Sequence, residues 1–176
     1  MQVAIISDIH DNLVNLKTCL TWCNKNKIKK LICLGDITNS DTLKYLATKF
    51  TEQIYLVKGN IELYPREDLK KYKNIKYFNK IGKIIIGNKN IGFCHEDYLV
   101  KKLLAGPKCN IIFYGHTHKP WEEEKNNIKI INPGTLSGMF QIATFAIMNT
   151  ENGEAKLKAL DMLNTPKSTD NLIFYK

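Results

Sequence analysis

The sequence predicts an α/β protein in which two packed β-sheets carry helices on their outer faces. Three observations lead there. Short apolar runs alternate with amphipathic helical stretches through the first half of the chain. Strand-like runs dominate the second half. Several of these runs end in Asp, Asn or His, and in open α/β sheets ligands bind beyond the carboxyl ends of strands.

The elements follow in order. Val3–Ile6 is a short buried strand. Residues 13–26 place Leu13, Leu16, Leu20 and Cys23 at helical spacing. Leu31–Leu34 is the second strand, and Ser40 is the expected N-cap of a helix over Leu43–Phe50. Ile54–Val57 is the third strand. Strand, helix, strand at this rhythm implies right-handed βαβ units and a largely parallel sheet. Beyond them, Lys83–Ile86 and Ile91–Cys94 flank Gly87-Asn88-Lys89-Asn90, a hairpin turn. Tyr98–Ala105 reads as helix, and Ile111–Tyr114 as another buried strand. Residues 128–131, 143–148 and 155–160 read as late strands. No linker or repeat interrupts the chain, so residues 1–176 are expected to form a single domain, with 165–176 a tail across its surface.

The composition narrows the classes of function. With 176 residues and 44% hydrophobic content the chain can bury a core. No apolar run approaches the roughly 20 residues that span a bilayer. The N-terminus enters a strand directly, without a basic leader region, so the expected location is cytoplasmic, with no membrane partner. Five cysteines, an odd number in mostly apolar surroundings, do not form a disulfide framework and read as packing thiols. The net charge of +9 favours an anionic substrate. Its lysines crowd at 25–30 and 70–83, but the chain is rich in lysine, isoleucine and asparagine throughout, so a general compositional bias accounts for much of the charge and nucleic acid is not the expected partner. Self-association is compatible with all of this.

The chemistry lies where the strands end. Ile6 leads to Asp8 and His10, Leu34 to Asp36, Val57 to Asn60, Cys94 to His95, and Tyr114 to His116 and His118. All four histidines of the chain stand in such places. Carboxylate, amide oxygen and imidazole suit manganese, iron, zinc or nickel, and the lack of thiolates among them argues against a closed structural zinc site. Asp36 could bridge two ions with its two oxygens. Two metals about 3.5–4 Å apart activate water and clamp phosphate oxygens, so the expected chemistry is hydrolysis of a phosphate ester. Gly35, Gly59 and Gly115 are expected to let the backbone turn sharply toward the ions. Asn12 and Asn132 are either substrate contacts or turn and cap residues. Trp121 either stacks on a substrate ring or packs.

Taken together, Ser7-Asp8-Ile9-His10-Asp11-Asn12, Leu34-Gly35-Asp36, Lys58-Gly59-Asn60, His95, Gly115-His116-Thr117-His118 and Asn132-Pro133-Gly134-Thr135 resemble the calcineurin-like metallophosphoesterases, in their small bacterial and archaeal phosphodiesterase branch. The resemblance spans Met1 to about Leu160. It implies a four-layer α/β sandwich of two mixed sheets flanked by helices. It implies two divalent ions, manganese first among the choices and nickel, ferrous iron or zinc the others. Asp8, His10, Asp36 and His118 would hold one ion, and Asp36, Asn60, His95 and His116 the other. A hydroxide between them would attack phosphorus in line. Asn12 and Asn60 are the candidate substrate contacts, and the substrate is a small phosphate ester.

Two positions depart from the family pattern. Many relatives follow Gly-Asn with a histidine that protonates the leaving group, whereas this chain has Ile61 and Glu62. General-acid help must then come from water, from Glu62 or from nowhere. Glu96 follows His95 where relatives commonly have glycine, an extra carboxylate that could repel a phosphate or bond a ligand. Two other functions share the resemblance: a nuclease or nucleotide phosphohydrolase, and a non-catalytic scaffold like the retromer subunit with altered metal ligands. The survival of all the ligand positions argues against the scaffold.

Overall fold

The computed structural model describes residues 1–163 and Phe174. The first sheet has strand order β11-β10-β1-β2-β3-β4, with β1 at Gln2–Ile6, β2 at Lys30–Cys33, β3 at Gln53–Leu56, β4 at Ile75–Tyr77, β10 at Thr144–Asn149 and β11 at Ala155–Ala159. Strands β1 to β4 are mutually parallel, and β10 and β11 add antiparallel. The second sheet runs β5-β6-β7-β9-β8: Ile81–Ile86, Lys89–Cys94, Ile111–Phe113, Ile128–Asn132 and Trp121–Lys125. Its central strands β6, β7 and β9 are parallel, and its edges β5 and β8 antiparallel.

The period of two in each strand builds the layers. In the first sheet Ala4, Ile6, Leu31 and Cys33 face outward onto Leu16, Leu20 and Cys23 of α1 (Leu13–Lys25) and Leu43 and Leu46 of α2 (Ser40–Lys49). The alternate residues Val3, Ile5, Ile32 and Leu34 face inward onto Ile91, Phe93, Ile111, Phe113 and Ile131 of the second sheet. On that sheet's far side Cys94, Ile112 and Ile130 meet Val100 and Leu103 of α4 (Val100–Ala105). The result is helix, sheet, sheet, helix, the expected four layers. Full burial of each Ile, Leu or Phe between the sheets stabilises the stack by about 1.5–3 kcal/mol.

Local details correct several expectations. Asn39, not Ser40, caps α2: its side-chain oxygen accepts from Thr42 N–H at 3.0 Å, while Ser40 is the first helical residue and its hydroxyl donates to Asp68 at 2.6 Å. The hairpin turn is only Gly87-Asn88, because Lys89 already pairs with Ile86. Elements that escape the pattern reading are the single turn α3 (Arg66–Leu69), the edge strand β4, β8, and a 3-10 turn at Leu160–Met162. Strand β8 reads Trp-Glu-Glu-Glu-Lys because it is a sheet edge open to solvent, where charges guard against further pairing. The five cysteines are free and buried, as expected of packing thiols. The tail expectation for 165–176 falls outside the described residues except at Phe174, which packs into the core between the sheets. No helix among the described residues is long and apolar enough to cross a membrane.

Candidate metal centre

Parallel strands deliver their carboxyl ends to one edge, and here two parallel sets do so side by side. The loops after β1, β2 and β3 supply Asp8, His10, Asp36 and Asn60, and those after β6 and β7 supply His95, His116 and His118. The backbone is bent hard to aim them. Asp8, His10, Asp36, His116 and His118 all adopt positive φ, between 43° and 68°. Non-glycine residues seldom do so, and the cost, of order 1–3 kcal/mol each, is tolerated where surrounding structure dictates it. Here the Asp36 carbonyl accepts the N–H groups of both Ile9 and His10 at 2.9 Å, and Asp8 N–H donates to Gly35 O at 3.2 Å.

The turning is therefore done largely by the polar residues, and the glycines serve chiefly close approach. Of the three, only Gly35 has positive φ. A Cβ on Gly59 would overlap Asp36, and one on Gly115 would overlap Ser7.

Around the centre, Asp8 Oδ1 lies 3.3 Å from His118 Nε2 and 3.8 Å from His10 Nε2, and the two imidazole nitrogens are 3.1 Å apart. Asp36 Oδ2 lies 3.6 Å from His10 Nε2 and 3.4 Å from His95 Nε2. Asn60 Oδ1 stands 2.7 Å from His95 Nε2 and 2.9 Å from His116 Nδ1. Asp8, His10 and His118 form one group of donors close enough to share an ion, and Asp8, Asp36 and His95 another. Asp36 Oδ1 accepts the Ile61 N–H at 2.8 Å, so only Oδ2 faces both histidines.

The arrangement has depth. Asp8, Asp36 and His95 are buried at the floor, His10 and His118 half-buried, and Asn60 and His116 exposed at the rim. Burial alone would raise Asp8, yet His10 and His118, with His95 across the floor, hold it far below the usual carboxylate range. Asp36 is raised by burial but lowered more by His95 and the Ile61 N–H. Burial disfavours charge on His95, but Asp36 and Asp8 carry it above its ordinary value, and Asp8 raises His118 likewise.

These residues fit divalent cations. Asp8 Oδ1 is buried with no hydrogen-bond partner. His95 Nδ1 donates to the Leu34 carbonyl at 2.8 Å, which in the neutral ring leaves a lone pair on Nε2. That lone pair faces the oxygens of Asn60 and Asp36, an arrangement relieved by a cation or a proton between them.

Neighbouring groups hold the loops in place. Asn132 is fully buried and donates to Gly115 O at 2.8 Å and Thr117 Oγ1 at 3.0 Å, which braces the His116–His118 loop. Ser137 N–H and Thr135 Oγ1 both donate to Asp8 O. Asn12 caps α1 by accepting from Asn15 N–H at 3.0 Å and donates to Ser137 O at 2.8 Å. Glu62 accepts from the N–H groups of Ile37, Thr38 and Gly59 at 3.2–3.4 Å, so it ties the β2 and β3 loops together. That engagement speaks against a role as substitute acid. Glu96 points to Tyr98 OH at 3.3 Å and Lys80 at 3.7 Å. Trp121 pairs in β8 with Lys119 over its ring at 5.2 Å. Sequence reasoning missed the loop at 137–142, where Met139 O lies 3.4 Å from His118 Nδ1 and the Phe140 ring 6.1 Å from the His118 ring. Its only signal is the apolar pair Met139-Phe140 after Gly138.

Two mixed sheets stacked between helices, with carboxylates and imidazoles gathered at adjoining strand ends, define a metal-dependent phosphoesterase. The calcineurin-like phosphoesterase superfamily domain matches residues 1–153, and the chain belongs to that family. A phosphodiesterase of Methanocaldococcus jannaschii is 27% identical over 161 residues, covering 88% of this chain and 96% of that protein. Among solved structures, an archaeal phosphodiesterase superposes with a TM-score of 0.81 at 23% identity over 90% of this chain and 99% of the other. The zinc complex of Vps29 from Entamoeba histolytica gives 0.67 at 20% identity over 89% and 90%. The last two likenesses concern the fold.

Proposed function

We propose that the protein is a phosphodiesterase that hydrolyses small phosphate esters with two divalent ions, manganese first among them. The observation that carries this is the meeting of two donor groups at the buried carboxylates: Asp8 belongs to both groups, and Asp36 Oδ2 lies 3.6 Å from His10 and 3.4 Å from His95. Asp8, His10, Asp36 and His118 would hold one ion, and Asp36, Asn60, His95 and His116 the other. Ions bound there lower the pKa of water and neutralise charge on phosphate oxygens. The relative from M. jannaschii, named a phosphodiesterase, supports the reaction class.

The chain's own residues do the rest. The buried carboxylates Asp8 and Asp36 supply negative charge at the floor, and Leu34 O orients His95. Asn60, on the exposed rim, serves both as ligand and as substrate contact. Asn12 acts on substrate binding by holding α1 against the Ser137 loop. The net charge of +9 draws an anion toward the opening. A single domain carries the activity, and free buried cysteines support a cytoplasmic setting. The convergence of all the donor side chains favours catalysis over a scaffold role.

The test is hydrolysis of bis(p-nitrophenyl) phosphate before and after chelation, then after add-back of manganese. Loss and recovery are expected. Full activity in chelator rules out the metal mechanism.

A further inference from the structure

The most exposed large apolar side chain near the centre is Phe140, at 85% exposure. Two features separate it from an ordinary surface residue. Its φ is +62°, in the left-handed region that a bulky side chain rarely enters. Its ring lies 6.1 Å from that of His118, inclined by 31°. Backbone strain of this kind persists where surrounding structure dictates it and gathers at ligand sites. Contacts that anchor the preceding residues of the loop are visible. Gly138, also at positive φ (+77°), turns the loop, and Met139 N–H donates to Ser137 Oγ at 3.2 Å. Ser137 Oγ meets Thr135 Oγ1 at 2.7 Å, and Thr135 Oγ1 donates to Asp8 O at 3.0 Å. The loop that carries Phe140 is thus tied to the backbone of a floor carboxylate. Met139 (44% exposed) adds apolar surface to the same loop.

An aromatic face held open to solvent beside an anion-binding centre offers stacking to whatever the anion carries. We propose that Phe140 is a specificity-determining wall, and that the substrate is a phosphate ester bearing a flat aromatic group, which stacks on its ring while the phosphate occupies the centre. This rests on the phosphoester reading above and names the substrate class for it.

Binding of phenylphosphonate and methylphosphonate to the manganese-loaded protein, followed by calorimetry, tests it without turnover. The wild type is expected to bind the phenyl compound about tenfold more tightly, which corresponds to about 1.4 kcal/mol. Phe140→Ala should abolish the preference and leave methylphosphonate affinity within about twofold, and Phe140→Trp should retain it. Phe140→Asn, a residue that tolerates positive φ, removes the ring while keeping the loop and should match Phe140→Ala. Equal affinities in the wild type, or an undiminished preference in the Ala and Asn variants, overturn the role of Phe140 while leaving the phosphoester reading intact. Metal-dependent binding of neither compound removes that reading, and the wall with it.

Discussion

His10 and His118 point their Nε2 atoms at each other across 3.1 Å, with Asp8 Oδ1 3.3 Å from His118. Two imidazoles in this geometry share either one proton or one cation. A metal ion and protons therefore compete for the same space.

That competition has a sign. His95 and His118 have folded values above the ordinary 6.5, raised by Asp36 and Asp8. Such groups contribute stability that is fully present below their unfolded pKa and lost as pH rises through the folded value. In the metal-free protein this contribution should fall as pH is raised from about 6 toward 8. Asp8 and Asp36, held below 3.8, contribute above that pH, and this part is lost as pH falls through their folded values. Added manganese should raise Tm more at pH 8 than at pH 6, because ligand binding then displaces fewer protons. Thermal unfolding with and without metal at both pH values measures it. An increment that shrinks with pH would contradict the ligand assignment.

Asp36→Asn should weaken both proposed ion sites together, since it removes the charge of the carboxylate proposed to serve both. Elemental analysis after manganese loading should approach two ions per chain in the wild type and fall well short in the variant. Retention of two tightly bound ions would rule the shared role out. His116→Ala and Asp8→Asn should lower phosphodiesterase kcat by about 100-fold or more, at or beyond the upper end of losses from disturbing groups around a metal.

Asn132→Ala leaves two acceptors of the His116–His118 loop without their buried donor. A buried group left unpaired costs about 1–3 kcal/mol, so Tm should drop measurably. Metal affinity should also fall by about 10–100-fold, as expected when a group supporting the ligands is removed. A Tm loss with unchanged metal affinity would reduce Asn132 to a structural residue.

Leaving-group dependence should be steep. Ile61 offers no proton, and Glu62 is held by three backbone N–H groups. General-acid help is typically worth about 10²–10⁴-fold, and its absence hurts most when the departing alkoxide is basic. p-Nitrophenyl esters should therefore be cleaved far faster than alkyl esters, and Ile61→His should narrow the gap. Rates independent of leaving-group pKa, with chemistry rate-limiting, would show another acid at work, and the response of Glu62→Gln would then tell whether it is Glu62.

Much of the fold and of the candidate site is legible in the sequence. Period-two and helical spacing are local consequences of backbone geometry, so β1, α1, β2 and β3 could be read from short windows. The donors were legible because parallel strands bring their carboxyl ends to one edge, so Asp8, Asp36, Asn60 and the histidines had to meet. Strand β8 was not legible, since its hydrogen bonds to β9 outweigh a run of glutamates with no apolar face.

Only the tertiary structure decided how each donor is aimed. The Ile61 N–H bonds one oxygen of Asp36, and the other faces His10 and His95. Asp8, His10, Asp36 and His116 take positive φ where groups distant in sequence bond their backbone. Glu62 becomes a clamp between loops, and Asn132 a brace. Phe140 comes to stand beside His118, 22 positions earlier in the chain. Sequence specifies which groups a strand end offers. Which lone pair faces inward depends on contacts between residues far apart along the chain, and these exist only once the two sheets have packed.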